Sequence, residues 1–357
     1  MSEEKKLMKG NEAIAEAAIR AGCMAYYGYP ITPQNEIPAW MAREMLDRGR
    51  IFVQAESEVA AINMVYGSSA AGVRSMTSSS SPGISLKQEG ISYAAGADLP
   101  MVIVNVARTG PGLGGISPAQ GDYFQATRGG GHGDYYLPVL APWSVQEAAD
   151  LTYLAFDIAD RWRTPVMVLA DGIIGQMLEG VILPPEINPA DIPQRDYTVG
   201  SRKGSGRANR HVTSLELDLD LLEQKIRDRF ARYEQIKKEE TRWQEEDCDE
   251  ADLVLVAYGT SARVALGAKQ EAEKQGLRLG LLRPISLWPF PTEPIARLAK
   301  MGKTFLCVEM SMGQMVEDVR LAAAGLAPVE HFGRVGGNIP REDEVLAKAI
   351  EILGRKA

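Results

Sequence analysis

Two short runs, Met101–Val106 and Val166–Ala170, are apolar at almost every position. A strand that is apolar on both faces needs cover on both, as in a parallel sheet sandwiched by helices. Helix-like stretches separate such runs. In residues 8–27 the spacing of Ala13, Ala17, Ile19 and Ala21 predicts a helix with Asn11 as its cap and Gly22 as its terminator. Short strands are expected at Met24–Gly28, Ile51–Val53 and Val73–Thr77, with helices at Gln34–Leu46, Val59–Ala71 and Ile84–Ala95. Ser144–Arg161 reads as a helix opened by a capping box of Ser144 and Glu147. This alternation predicts an α/β fold with a doubly wound parallel sheet, closing near Leu183.

With 357 residues the chain has room for a second core. Pro184–Asp249 reads as a linker. It contains a basic, glycine-rich loop, Gly200–Arg210, and a charged helix, Leu215–Glu246, with an apolar stripe through Leu219, Leu222, Ile226, Phe230, Tyr233 and Ile236. The stripe is expected to pack on a domain or a subunit. The basic loop is a solvated segment or a contact for coenzyme A phosphates. Strand-like segments at Leu253–Ala257, Leu277–Leu282, Thr304–Glu309 and Val329–Phe332 alternate with helices to form a second α/β unit, with Arg283–Pro289 as a loop. The expected division is 1–183, 184–250 and 251–357.

The candidate chemistry gathers where predicted strands end, which is where open α/β sheets bind ligands. Pro30 and Pro33 stiffen the turn that carries Thr32; Thr32 either caps the next helix or faces a ligand. Gln54–Gly67 (QAESEVAAINMVYG) brings Glu56 and Glu58 to a helix start, with Ser57 as N-cap. Either the two acids are solvated dipole partners, or one sits in an apolar pocket able to hold a proton at neutral pH. Ser78–Gly83 is a plain turn, or it presents hydroxyls and N–H groups to polar ligand atoms. Arg108 ends a buried strand, a costly place for a cation unless it meets an anion: a protein carboxylate or a ligand. The glycine-dense loops Gly110–Gly115 and Arg128–Gly133 read as active-site or interface loops and lack the P-loop signature. His132 is a proton donor there or a solvated loop residue, and Gln120 and Asp122 are placed at the same pocket. Glu309 and Gln314, at a strand-end turn, are either functional or, the favoured reading, part of assembly.

Other chemistries are argued against. A net charge of −8 disfavours nucleic-acid binding and suits docking to a charged protein. Cys23, Cys248 and Cys307 are scattered without a CxxC, which gives no iron–sulfur or zinc ligand set and favours a reducing cytoplasm. Three scattered histidines give no expected metal site, and no apolar run reaches the roughly 18 residues of a membrane span.

Taken together, the Ser-Glu-small-residue segment, Gly28–Gln34 (GYPITPQ), Thr77–Gly83 (TSSSSPG) and Val104–Thr109 (VNVART) resemble the alpha subunit of 2-oxoacid:ferredoxin oxidoreductases, closest to the 2-oxoisovalerate branch. The resemblance runs from about Met8 to Leu353. It implies a thiamine diphosphate pyrimidine-type domain followed by a transketolase C-terminal-like domain. It implies Glu58 as the carboxylate on the aminopyrimidine, with Glu56 as fallback. Pro30, Ser80 and Gly83 would touch the cofactor, and Thr32, Arg108 and His132 the 2-oxoacid. It implies coenzyme A-dependent oxidative decarboxylation of a branched-chain 2-oxoacid such as 3-methyl-2-oxobutanoate. The chain has no Gly-Asp-Gly segment followed by Asn-Asn, and no cysteine cluster. Magnesium and the diphosphate site are therefore expected on a beta subunit, and the iron–sulfur clusters on a ferredoxin-like delta subunit. A gamma subunit and ferredoxin complete the implied set. The alternatives are the same chemistry on 2-oxoglutarate, with Arg128 as a second cation, and a non-catalytic assembly subunit.

Overall fold

A computed structural model describes residues 5–199 and 210–354. The basic-loop expectation therefore falls, apart from Arg210, outside the described residues. The first part of the chain runs β1 (Lys6–Lys9), α1 (Gly10–Arg20), β2 (Ala25–Gly28), α2 (Glu36–Asp47), β3 (Ile51–Gln54), α3 (Glu58–Ala70), β4 (Ser75–Ser79), α4 (Ser81–Gly96), β5 (Met101–Ala107), α5 (Tyr123–Thr127), β6 (Val139–Leu140), α6 (Val145–Trp162), β7 (Pro165–Asp171), α7 (Gly172–Gln176) and β8 (Leu178–Val181). It continues with α8 (Leu219–Glu240), β9 (Trp243–Glu246), β10 (Leu253–Val256), α9 (Gly259–Lys274), β11 (Leu279–Pro284), β12 (Ser286–Trp288), α10 (Thr292–Lys300), β13 (Thr304–Glu309), α11 (Met315–Ala323), β14 (Val329–Gly333) and α12 (Glu342–Gly354).

Seven strands form the first sheet in the order β12-β6-β7-β5-β4-β2-β3. All its pairings are parallel except β12 on β6. Every residue of β5 and β7 is buried, as their almost wholly apolar character requires. The chain steps outward from β2 to β3, then crosses back to β4 on the other side of β2. The loops after β2 and β4 thus diverge at the switch point of the sheet, where such folds leave a crevice at the carboxyl ends.

The second sheet has the order β14-β13-β10-β11-β9, parallel but for the β9 edge. Two segments differ here from the sequence expectation. The charged helix stops at Glu240, and Trp243–Glu246 pairs antiparallel with β11. The expected loop Arg283–Pro289 holds the end of β11 and all of β12, which pairs with β6 and ties the second unit to the first sheet. Both strands are too short to show a period, and their order is set by tertiary pairing.

The two units are bolted together by buried polar contacts. Gln120 donates from Nε2 to the Tyr258 carbonyl at 2.8 Å, while its Oε1 accepts from Ser261 Oγ at 2.8 Å and Met310 N at 2.9 Å. Asp171 accepts from Thr260 N and Oγ1. Arg283 makes a two-pronged pair with Glu147 at 2.7 and 2.9 Å and lies over the Trp143 ring. Glu147 consequently does not close a capping box. Ser144 Oγ caps Glu147 N, but the Glu147 carboxylate turns to Arg283 and Trp143 N. On α8 only the C-terminal half of the stripe is used: Tyr233 packs with Tyr136 and Trp288, and Ile236 is buried, whereas Leu219 is exposed.

Candidate active site

The crevice is built from the ends of β2, β4 and β5 and the starts of α3 and α4. α3 begins where expected, because Ser57 Oγ accepts from Ala60 N at 3.1 Å. That cap places Glu58 at the first helical position, with 7% exposure. Glu56, two residues earlier, is exposed. The two acids are therefore separated by burial, Glu58 inside and Glu56 at the surface.

α4 starts three residues earlier than the sequence suggested, at Ser81, so Gly83 lies in its first turn. Pro82 suits that first turn, where a missing N–H does no harm. A Cβ added to Gly83 would lie 2.0 Å from Ser79 Oγ, 2.8 Å from Glu58 Oε1 and 2.9 Å from Glu58 Cγ. The glycine lets helix α4 press directly on the Glu58 side chain.

The four serines do different jobs. Ser78 Oγ donates to Gln34 Oε1 and meets the Tyr26 hydroxyl at 2.7 Å, joining the β4 end to the loop after β2. Ser81 Oγ accepts from Arg108 N at 2.9 Å and bonds Asp122 Oδ2 at 2.6 Å. Ser79 and Ser80, both fully buried, have hydroxyls without a partner. Buried hydroxyls left unpaired carry a desolvation penalty, so two of them at one helix start are a mark of a ligand-facing surface.

Arg108, 8% exposed, reaches from the end of β5 under the threonine loop. It donates to the Thr32 carbonyl at 2.9 Å and the Leu113 carbonyl at 3.2 Å, while Nε, also buried, has no partner. No protein carboxylate pairs with it among the described residues, so the ion-pair alternative for this arginine is not what the structure contains. Thr32 itself is half-buried. Its Oγ1 accepts from Asn35 Nδ2 at 3.3 Å, and it precedes the cis Thr32–Pro33 bond. Pro30 is exposed on the same loop. Thr32, Arg108, Glu58, Ser80 and Gly83 are thus brought together, linked through the first turn of α4.

Two expected members, His132 and Gln120, lie elsewhere, and two further polar residues have roles outside the site. His132 is exposed, and its carbonyl accepts from Ser92 Oγ at 2.6 Å. Ser92 is eleven residues past Ser81 on α4, roughly 16 Å along the helix at 1.5 Å per residue, so within this chain His132 is remote from Arg108. Its place in a glycine-rich loop carried no information about where that loop folds. Gln120 is spent on the clamp between units. Asn11 is not a helix cap: it lies inside α1, fully buried, donating to the Pro33 carbonyl and Glu36 and so bracing the threonine loop. Glu309 is fully buried at the end of β13, its carboxylate accepting from the N–H groups of Gln314, Met315 and Val316 and so capping α11 within the second unit.

One contributor, Lys87, was missed in the sequence. Asp122 does border the site, but as a support of Ser81 and Asn105, with burial pushing its carboxyl above the ordinary range. Lys87 is wholly buried beneath the Glu58 cradle, its Nζ donating to Thr77 Oγ1 at 2.8 Å and the Ser78 carbonyl at 3.0 Å. In the sequence it sits in an ordinary helical stretch, Leu86-Lys87-Gln88, and nothing there separates it from a surface lysine.

A buried acid pressed on by a glycine, with two orphaned hydroxyls beside it, fits the aminopyrimidine end of thiamine diphosphate: polar ring atoms need polar partners inside an otherwise dry cleft. Among the described residues no group of three or more His, Cys, Asp or Glu side chains could hold a metal. None of their helices is long and apolar enough to cross a membrane.

Known proteins bear directly on this arrangement. The thiamine diphosphate-binding model of pyruvate flavodoxin/ferredoxin oxidoreductases matches residues 16–242, and core domain II of pyruvate:ferredoxin oxidoreductases matches 251–345. Over 353 residues the chain is 51% identical to ketoisovalerate oxidoreductase subunit VorB of Methanothermobacter thermautotrophicus, with 98% of both chains covered. It is 40% identical over 335 residues to 2-oxoglutarate synthase subunit KorA of Archaeoglobus fulgidus, covering 92% of this chain and 95% of that one. The structure of 2-oxoglutarate:ferredoxin oxidoreductase from Magnetococcus marinus with 2-oxoglutarate, coenzyme A and succinyl-CoA bound matches with a TM-score of 0.87 at 25% identity, over 98% of this chain and 66% of that one. A split-gene transketolase, 14% identical with a TM-score of 0.59 over 97% of this chain and 98% of its own, shares the fold. With a thiamine diphosphate-binding family model across more than half its length and a half-identical relative from end to end, the chain belongs to the 2-oxoacid:ferredoxin oxidoreductases.

Proposed function

We propose that this chain is the alpha subunit of a coenzyme A-dependent oxidoreductase for branched-chain 2-oxoacids, 3-methyl-2-oxobutanoate foremost, and that it supplies half of a site shared with a beta subunit. The observation that carries the reading is the convergence of Glu58, Gly83 and two unpaired serine hydroxyls with Thr32 and Arg108 at one switch-point crevice. Thiamine diphosphate, when bound, supplies the electron sink that decarboxylation of a 2-oxoacid requires. Glu58 would hydrogen-bond the aminopyrimidine ring, whose exocyclic amine would supply the local base. Ser79, Ser80 and the Gly83 backbone would line that ring, and Pro30 would border it. Arg108 has five N–H donors and two are committed to carbonyls; the unpaired Nε side is free to take the substrate carboxylate. Thr32, braced by Arg108 and Asn35, faces the 2-oxo group. His132 acts, if anywhere, at an interface rather than on the substrate.

Magnesium and the diphosphate belong to the beta subunit in this reading. A gamma subunit and a ferredoxin-like delta subunit complete the complex, and the iron–sulfur clusters of the delta subunit pass electrons to ferredoxin. Residues 1–183 hold the pyrimidine half, 184–250 the connection and 251–357 the assembly unit. Three buried free cysteines suit a cytoplasmic complex.

The 2-oxoglutarate reading needs a second cation for the distal carboxylate. Arg128, the candidate, is taken: it pairs with Asp318 at 2.7 Å and lies over the Phe124 ring. The branched-chain reading is also favoured by the higher identity to the ketoisovalerate relative. The test is co-purification with the partner subunits and a dye-reduction assay on a panel of 2-oxoacids. The expected order of kcat/KM is 3-methyl-2-oxobutanoate above pyruvate and 2-oxoglutarate; a preference for 2-oxoglutarate would overturn the substrate assignment.

A further inference from the structure

Lys87 has no part in the chemistry above, yet it is among the most completely buried large side chains of the chain. An isolated ammonium inside a protein is strongly disfavoured unless a charge compensates it. Its two hydrogen-bond partners, Thr77 Oγ1 and the Ser78 carbonyl, are neutral. Among the described residues no carboxylate lies within ion-pair distance of Nζ. Glu58 presents the mirror image: a carboxylate at 7% exposure to which no side-chain donor of the described residues is bonded.

The helix geometry places the two groups on one axis. Gly83 and Lys87 are four residues apart on α4 and so share a face. A helical side chain leans back over the turn that precedes it, so the Lys87 stem runs toward Gly83. Gly83 faces Glu58 and Ser79, which a Cβ at that position would meet. Nζ ends on residues 77 and 78, just before Ser79, on the side of β4 that faces the cradle.

We propose that Lys87 is the internal counter-charge of Glu58, a positioning residue whose ammonium, moored to the end of β4, sets the electrostatic field in which the glutamate side chain sits in its cradle. This rests on the role given to Glu58 above. The groups facing Lys87 are Glu58 from α3, Thr77 and Ser78 from β4 and, one bond further through Ser78 Oγ, the Tyr26 phenol of β2 and the Gln34 amide. Burial lowers the lysine from its ordinary value to about 7, with the Glu58 charge pulling it back up. Burial raises the phenol, which stays neutral throughout. The lysine is thus the group behind the glutamate that changes charge near neutral pH, and it does so without touching cofactor or substrate.

The coupling is reciprocal, so it can be read from either partner. Lysine side-chain NMR of the full chain, with Lys87→Met identifying the resonance, gives the Lys87 midpoint in wild type and in Glu58→Gln. The expected midpoint lies near 7 and falls at least threefold in proton affinity when the Glu58 charge is removed. A midpoint at the ordinary lysine value, or one unmoved in Glu58→Gln, overturns the proposal. Should Lys87→Met not fold, Thr77→Val identifies the same resonance by removing one of its two acceptors. In the reconstituted complex, Lys87→Met should shift the pH profile of cofactor C2-proton exchange to higher pH by about tenfold in proton concentration. A structural role alone would scale the rate at every pH and leave the profile in place, which would also overturn it. If Glu58→Gln exchanges at the wild-type rate, the function assigned to Glu58 fails. If it does not, but the lysine midpoint is indifferent to it, only the present inference fails.

Discussion

Replacing Gly83 with alanine adds one methyl at the point where α4 meets Glu58. That carbon would stand 2.8 Å from Glu58 Oε1, 2.9 Å from Glu58 Cγ and 2.0 Å from Ser79 Oγ. The serine hydroxyl can rotate away. The glutamate contact involves Cγ as well as the carboxylate end, so the whole side chain must turn. Alanine in a helix is favoured over glycine by about 1 kcal/mol, and overpacking costs about 1–3 kcal/mol. The net loss of stability is therefore small, about 0–2 kcal/mol, and the variant should fold and assemble. Its chemistry should suffer far more, because a proton-transfer partner out of place typically costs about 10²–10⁴-fold. The assay is hydrogen–deuterium exchange at the cofactor C2 in the reconstituted complex, beside a thermal melt. A folded Gly83→Ala complex exchanging at the wild-type rate would refute the claim that this glycine exists to seat Glu58.

Further outcomes follow from the same geometry. Arg108→Lys keeps a charge but loses the planar fork; with about 1.5–3 kcal/mol for a hydrogen bond to a charged group, KM for the 2-oxoacid should rise roughly 10–100-fold with a smaller change in kcat. Gln120→Ala strands Met310 N and the Tyr258 carbonyl, and chemical denaturation should show a loss of about 2–4 kcal/mol. Lys87, held at about 7, binds fewer protons in the folded than in the unfolded chain between about pH 7 and its ordinary value. Stability should therefore rise with pH across that window, by at most about 1.4 kcal/mol per pH unit, and Lys87→Met should flatten the rise in urea titrations.

Much of this was legible because local rules and tertiary structure agree. The Ser57 cap fixes the start of α3 and so the burial of Glu58, and the near-continuous apolar character of β5 delivers Arg108 to the crevice. The failures share one cause. Local sequence makes Asn11 a cap, Gln120 a pocket residue, Glu147 a capping-box acid and Lys87 an ordinary helical lysine, yet each is drawn to a tertiary partner outside its own element: Pro33, Met310, Arg283 and Thr77 respectively. The strands β9 and β12 are ordered by pairing with β11 and β6, not by their own propensity. His132 shows the converse: a residue type suited to catalysis, in a loop whose glycines do not say where it will lie.

The central claim is that a water-shielded carboxylate at the first position of α3 governs a proton on the cofactor. Its most direct test is the C2 exchange rate of thiamine diphosphate in the reconstituted complex carrying Glu58→Gln, a near-isosteric change that removes only the titratable oxygen. The account predicts a fall of about 10²–10⁴-fold with cofactor still bound; exchange at the wild-type rate would contradict it.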